Sequence, residues 1–464
     1  MHRLLILLLP LFILSCNEKS SCDTCDVDPS SGTQAKNEIF MAASTSLTER
    51  PMLVVRLQYT DKQFVHDESI WHNILFGIQK GELNHYYHEI SNKQFGFKPV
   101  ADAGNVSHGI VTINRNTNHP DPDIDHYSTF EQKLHPELKI AIETVASDGF
   151  DFSIYDKNGD HSITPNELLV MFIMAGEEDA YSGGTITKGV WAHELCTQSI
   201  YTPHVNGGVS VLGCQNSGSY TIFGERHHDG VHNSHDATIG IIAHELGHGT
   251  FNLPDLYAGS STRIGYYGLM GNGSWGQAKS SDFPGSSPTH MTAWSKIDVG
   301  WFTPQKIHTD AASFMELTAT GSSNYNIIKA PMYNNKDEYF LLENRGALGY
   351  DEGLKYVNPN YLGGIAIWHI DDAIIASNRV ANTVNADADH KGVDLEEAAG
   401  SSVDELKGDP VTNLYYSSNV DAFTPNTTPN TNLYNDEHSY IFITDISSLG
   451  TVMSLKINNP KEAP

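Results

Sequence analysis

The pentapeptide His244-Glu-Leu-Gly-His248, with Pro254-Asp255-Leu256-Tyr257 a few positions on, constrains this chain more than any other segment. From Asp236 to Leu246 the pattern predicts an amphipathic helix, because Ile239, Ile242, Ala243 and Leu246 recur at i, i+3, i+4 and i+7. At about 100° per residue, His244 and His248 lie about 40° apart and roughly opposite that apolar stripe. The stripe can pack on a core while both imidazoles face a cleft, close enough to share one ion. Glu245 points about 100° away from His244, beside such an ion, where a general base for its bound water belongs. Asp255 follows just past the helix end and supplies a hard anionic oxygen. His244, His248 and Asp255 thus make a three-ligand set for zinc with a fourth position open. Asn252 sits where the chain must turn back, and asparagine tolerates the left-handed conformation better than other non-glycine residues. The pentapeptide alone also occurs by chance on ordinary helices, so the flanking residues carry much of the weight.

Gly268-Leu-Met270-Gly-Asn-Gly-Ser-Trp275 then places a methionine in a glycine-rich turn soon after the ligands. That is the context of a Met-turn beneath a metal site. Taken together, HELGHGTFNLPDLY, YYGLMGNGSWG and SPTHMTAWSKIDVGW resemble the M6 metallopeptidases, the immune-inhibitor-A-like branch of the metzincins. The resemblance extends to ELNHYYHEISNKQFGF (82–97), EYFLLENR (338–345), GGIAIWHID (363–371) and HKGVDLEEAAG (390–400), and so covers most of residues 50–400. It implies a metzincin-like α/β zinc peptidase acting on proteins or peptides, with Glu245 catalytic and Met270 supporting the site without ligating. The chain departs from the common metzincin spacing, having Phe251 and Pro254 where many members place glycine and the third ligand. It matches an M6 pattern, His-x-x-Phe-Gly-x-Pro-Asp, with Asn252 in the glycine's place, and Ala258 stands where an acidic residue usually follows Asp-Leu-Tyr.

The N-terminus gives an address. Arg3 precedes an apolar run, Leu4 to Leu14, too short to span a bilayer but suited to a signal-peptide core. The run ends in Ile13-Leu14-Ser15-Cys16, which resembles a bacterial lipobox and predicts a lipoprotein signal segment (1–16) cleaved so that a lipid-modified Cys16 becomes the new N-terminus. An ordinary secretory signal cut nearby is the rival. A lipid anchor would hold the chain on a membrane without a transmembrane helix. Asn17, in place of the aspartate linked to inner-membrane retention, points to the outer membrane or the exterior. Residues 17–47 are polar and predict a disordered tether, within which Cys22 and Cys25 could pair locally or donate a thiolate to the zinc. Cys196 and Cys214 are the only cysteines of the folded part and suit a disulfide in an oxidising compartment. With 56 acidic against 28 basic residues the net charge is -28, which repels nucleic-acid phosphate and excludes that partner.

Along the chain, Met52–Tyr59 predicts a first strand, Leu83–Ile90 a helix, and Pro136–Ala146 a second helix with Pro136 in its first turn. Leu168–Ala175 predicts a buried strand. The expected catalytic domain, α/β (or α+β), spans 48–305. Beyond it, short alternating strands such as Tyr339–Leu342, Ile365–Ile370, Tyr440–Ile443 and Met453–Ile457 predict a β-rich accessory domain over 306–464. Asp156, Asn158, Asp160, Ser162, Thr164 and Glu167 occupy the oxygen-ligand positions of an EF-hand calcium loop, although His161 stands where that loop wants glycine. A solvated acidic turn is the alternative. His227, His228, His232 and His235 predict an exposed polar loop rather than a second metal site. His193 could approach the cleft, and His290 is expected to be structural. Two functions follow: a zinc endopeptidase, or a surface lipoprotein that binds glycan or protein through the β-rich part.

Overall fold

The computed structural model describes residues 47–462 apart from 121–126, 183–188, 215–217, 229–232, 334, 400–401 and 405–407. Cys16, Cys22, Cys25, the signal sequence, the tether and His232 lie outside the described residues.

The chain folds as a mixed α/β structure with several sheets. Strand Thr48–Gln58 lies inside an eight-stranded sheet. One flank pairs in parallel with Phe95–Pro99 and then Ile110–Asn114, and the other pairs in parallel with Leu169–Glu178, which in turn pairs with Tyr220–His227. His193–Leu195 and His235–Asp236 run antiparallel to Tyr220–His227. Parallel strands need cover on both faces, and alternating residues supply it. Met52, Val54, Met171 and Ile173 face one apolar cluster, with residues of helices Glu68–Phe76, Leu83–Ile90 and Ile239–Phe251. Leu53, Val55, Val170 and Phe172 face another, with helix Tyr127–Ser147. That helix starts nine residues earlier than the sequence suggested, and Pro136 lies in its interior. Buried Leu134, Leu138, Ala141, Ile142 and Val145 continue one apolar stripe across the proline, whose missing N–H removes a backbone bond.

Past Thr303 the chain forms a five-stranded sheet from Gln305–Lys306, Ile328–Pro331, Glu338–Asn344, Ile365–Asp371 and Val393–Leu395. A three-stranded sheet pairs Thr309–Thr318 and Phe442–Thr444 with Val452–Asn459. Glu338–Asn344 and Ile365–Asp371 are buried at every position. Phe340, Leu342, Ile365 and Ile367 pack with residues of the three-stranded sheet, whereas Tyr339, Leu341, Ala366 and Trp368 join the cluster that contains the helix Ile239–Phe251. Lys296, Glu343, Arg345 and Asp351 form a fully buried charge network at this junction. No helix among the described residues is long and apolar enough to cross a membrane.

Candidate metal centre

Helix Ile239–Phe251 begins after Thr238, because Asp236 is taken up in strand pairing with Arg226, and it ends at Asn252 in the left-handed conformation (φ 52°, ψ 36°). It is a core helix rather than an amphipathic one: every residue from Ile239 to Gly247 is buried. Glycine makes this possible. A Cβ at Gly240 would overlap the Ser274 carbonyl, and one at Gly247 would lie 2.5 Å from Met270 Sδ. Met270 therefore packs directly against the helix beneath the histidines, and its carbonyl accepts from Leu256 N–H at 2.8 Å.

Two carbonyls orient the imidazoles. His244 Nδ1 donates to Leu269 O at 2.9 Å and His248 Nδ1 to Leu253 O at 2.7 Å. With each Nδ1 carrying its proton, both Nε2 lone pairs face inward. The two Nε2 atoms are 3.2 Å apart, and Asp255 Oδ1 lies 3.2 Å from each. A tetrahedral zinc with bonds of about 2.0–2.1 Å separates its ligands by about 3.3 Å, so these residues fit that ion. They are the only set of three or more His, Cys, Asp or Glu ligand atoms among the described residues that converges within 4.8 Å. The electrostatics agree. Burial opposes charging His248, yet the Asp255 carboxylate beside it pushes that imidazole up to about 10. Burial would raise Asp255, but His248 and His244 hold it far below the usual carboxylate range. The cluster favours positive charge at its centre.

Glu245 is buried next to this triangle, and burial raises its pKa against the opposing pull of His244 and His248. Ile241, Trp191, Tyr257 and Trp275 line the cleft beside His244 and Glu245. Two residues that sequence reasoning missed hold this arrangement. Glu178, fully buried, accepts the N–H groups of Ala180 (3.1 Å), Ala192 (2.7 Å) and Gly224 (2.8 Å), and burial pushes its carboxyl up to about 8. It thereby ties together two stretches of cleft wall. Asn382 bonds to Asp255 through both its Oδ1 and its Nδ2. The acidic end of an apolar strand was the available signal for Glu178; Asn382 had none.

The remaining candidates lie elsewhere. Asp156 accepts from the N–H groups of Gly159, Asp160 and His161, and His161 takes φ 61°, the conformation expected of glycine there. Asp160 accepts from Ser162 N–H and Asn158 Nδ2, while Glu167 accepts from Thr164, Lys157 and Asn158. These carboxylates are occupied by the loop's own N–H groups. Cys196 and Cys214 form a disulfide. His227 and His235 are buried, not in an exposed loop: His227 stacks on Tyr181 at 3.9 Å and His235 on Phe283 at 3.6 Å. His193 turns away to Tyr220, at 3.0 Å from its hydroxyl. His290 pairs with Glu89 at 2.9 Å.

A buried His-Glu-x-x-His helix with an aspartate closing the triangle, set in an α/β fold, defines a metallopeptidase. Residues 82–302 match the family model for the catalytic domain of immune inhibitor A peptidase M6. Among solved structures, wild-type OgpA from Akkermansia muciniphila is 16% identical, with a TM-score of 0.26, over 74% of this chain and 94% of that one. Catalytically inactive OgpA in complex with an O-glycopeptide substrate is 13% identical, with a TM-score of 0.27, over 72% and 91%. No curated protein matches the chain.

Proposed function

We propose that the chain is a zinc endopeptidase of metzincin type, in which His244, His248 and Asp255 hold the metal and Glu245 is the general base. The observation that carries this is the 3.2 Å triangle of ligand atoms beside a buried glutamate. When bound, zinc supplies a Lewis acid that polarises the scissile carbonyl and acidifies water. Glu245 takes a proton from the attacking water and delivers one to the leaving amine nitrogen. Its raised pKa suits both halves of that transfer. Leu269 and Leu253 carbonyls keep the two imidazoles in the ligating tautomer. Met270 supports the helix from below.

Glu245→Gln should retain about one zinc per chain and lose peptidase activity by roughly 10²–10⁴-fold, because it removes a proton carrier and not a ligand. Zymography with elemental analysis checks this. Activity close to wild type in that variant would sink the mechanism, and a wild type that binds metal but cleaves nothing would favour the glycan- or protein-binding alternative.

We also propose that the 156–167 loop takes calcium, supported by its left-handed His161 and by the backbone bonds that tie Ile163 and His161 to Ser210. The lipid anchor at Cys16, and with it a place in the outer membrane or at the cell exterior, is proposed from the sequence alone.

A further inference from the structure

The turn that carries Asp255 is gripped from far along the chain. Asn382, 127 positions later, accepts the Asp255 N–H on its Oδ1 at 2.6 Å and donates from its Nδ2 to Asp255 Oδ2 at 2.6 Å. Its neighbours grip the same turn: Arg379 donates to the Asn252 carbonyl at 3.1 and 3.0 Å while pairing with Asp298, and Asn385 Nδ2 donates to the Leu256 carbonyl at 3.2 Å. Asn382 lies beyond the span matched by the M6 family, 82–302.

The chemistry at Asp255 needs such a partner. Its carboxylate is buried, and Oδ1 faces the two imidazole Nε2 atoms at 3.2 Å. A buried carboxylate oxygen left without a donor is destabilising, because its lost hydration is not replaced. The Asn382 amide meets Oδ2 and, by holding the main chain of the same residue with its other end, leaves the carboxylate one orientation. Asparagine is suited to the post because Asn382 itself sits at φ 54°, where few other side chains are tolerated.

We infer that Asn382 is a positioning residue that aims Asp255 Oδ1 at the metal, so that a segment beyond residues 82–302 completes the centre. The inference rests on the ligand assignment above. The test uses the full chain and two variants. Asn382→Gly keeps the left-handed backbone and deletes both bonds; Asn382→Asp keeps an acceptor for the Asp255 N–H but removes the donor to Oδ2. Zinc affinity by chelator competition, the visible spectrum of the cobalt-loaded protein, and melting of the metal-free protein are measured together. Asn382→Gly should bind zinc about 10–100-fold more weakly. Both variants should change the cobalt spectrum, because the ligand has lost its fixed orientation. Wild-type zinc affinity and an unaltered cobalt spectrum, with only a lower melting temperature, would make Asn382 a turn staple and overturn the inference. If Asn382→Gly does not fold, the Asn382→Asp spectrum decides. A His248→Ala variant that still binds zinc like wild type would instead overturn the ligand assignment itself.

Discussion

His369 is wedged between two carboxylates, its Nε2 3.2 Å from Glu338 and its Nδ1 3.3 Å from Glu396, and its ring lies flat on Tyr434 at 4.2 Å. Burial works against the imidazolium, but the two carboxylates outweigh it and push His369 up to about 9. In the unfolded chain a histidine titrates near 6.5. A raised folded value means that the contribution is complete below about 6.5 and disappears as pH climbs through about 9. The gap corresponds to about 3 kcal/mol. Melting temperature should therefore fall between pH 6.5 and 9.5, and His369→Gln should start lower and lose most of that slope; an equally steep fall in the variant would assign it to other groups. This residue lies in GGIAIWHID, one of the M6-like strings, yet nothing local shows that its partners come from Glu338 and Glu396. The same gap explains the other residue-scale outcomes. His244, Glu245 and His248 are legible because one helix turn sets their relation, whereas Asn382 depends on a contact 127 positions away. His227 and His235 looked solvated because polar neighbours surround them, and their aromatic partners Tyr181 and Phe283 lie outside that stretch.

Strands and helices are legible where a local apolar run or stripe decides them. Met52–Tyr59 and Leu168–Ala175 correspond closely to Thr48–Gln58 and Leu169–Glu178, and Leu83–Ile90 is a helix as expected. Boundaries slipped where another element intervened: Asp236 went to a strand, and Tyr127–Ser147 ran through its proline because its apolar stripe continues on both sides. The 156–167 loop is the element whose role is most open to measurement. Its carboxylates now accept loop N–H groups, so a bound cation must draw them inward, and binding to the folded form alone raises stability by mass action. In protein stripped of calcium but not of zinc, the melting temperature should rise with added calcium, and Asp156→Ala with Asp160→Ala should abolish the rise. A melting curve indifferent to calcium would leave a solvated acidic turn.

At the scale of the whole molecule, the five-stranded sheet faces two clusters at once, one shared with the three-stranded sheet and one with the metal helix. Glu338–Asn344 is accordingly buried throughout, its charged Glu343 paired with Lys296 at 3.3 Å. Such pairings are not visible in a local pattern, since Lys296 lies on helix Ala293–Asp298. The proposed lipid anchor is tested on the whole chain: detergent partition and palmitate labelling are expected of the wild type and should be lost in Cys16→Ser, and an unlabelled, soluble mature protein would indicate ordinary secretion. The reach from Asp255 to Asn382 has one more consequence, in time. A ribosome adding about 5–20 residues per second needs about 6–25 s to cover those 127 residues. Throughout that interval the nascent chain has made His244, Glu245, His248 and Asp255 but not the amide that aims the last of them. Synthesis order thus makes the Asp255–Asn382 bond the last of these contacts to form, long after all four side chains of the centre have emerged.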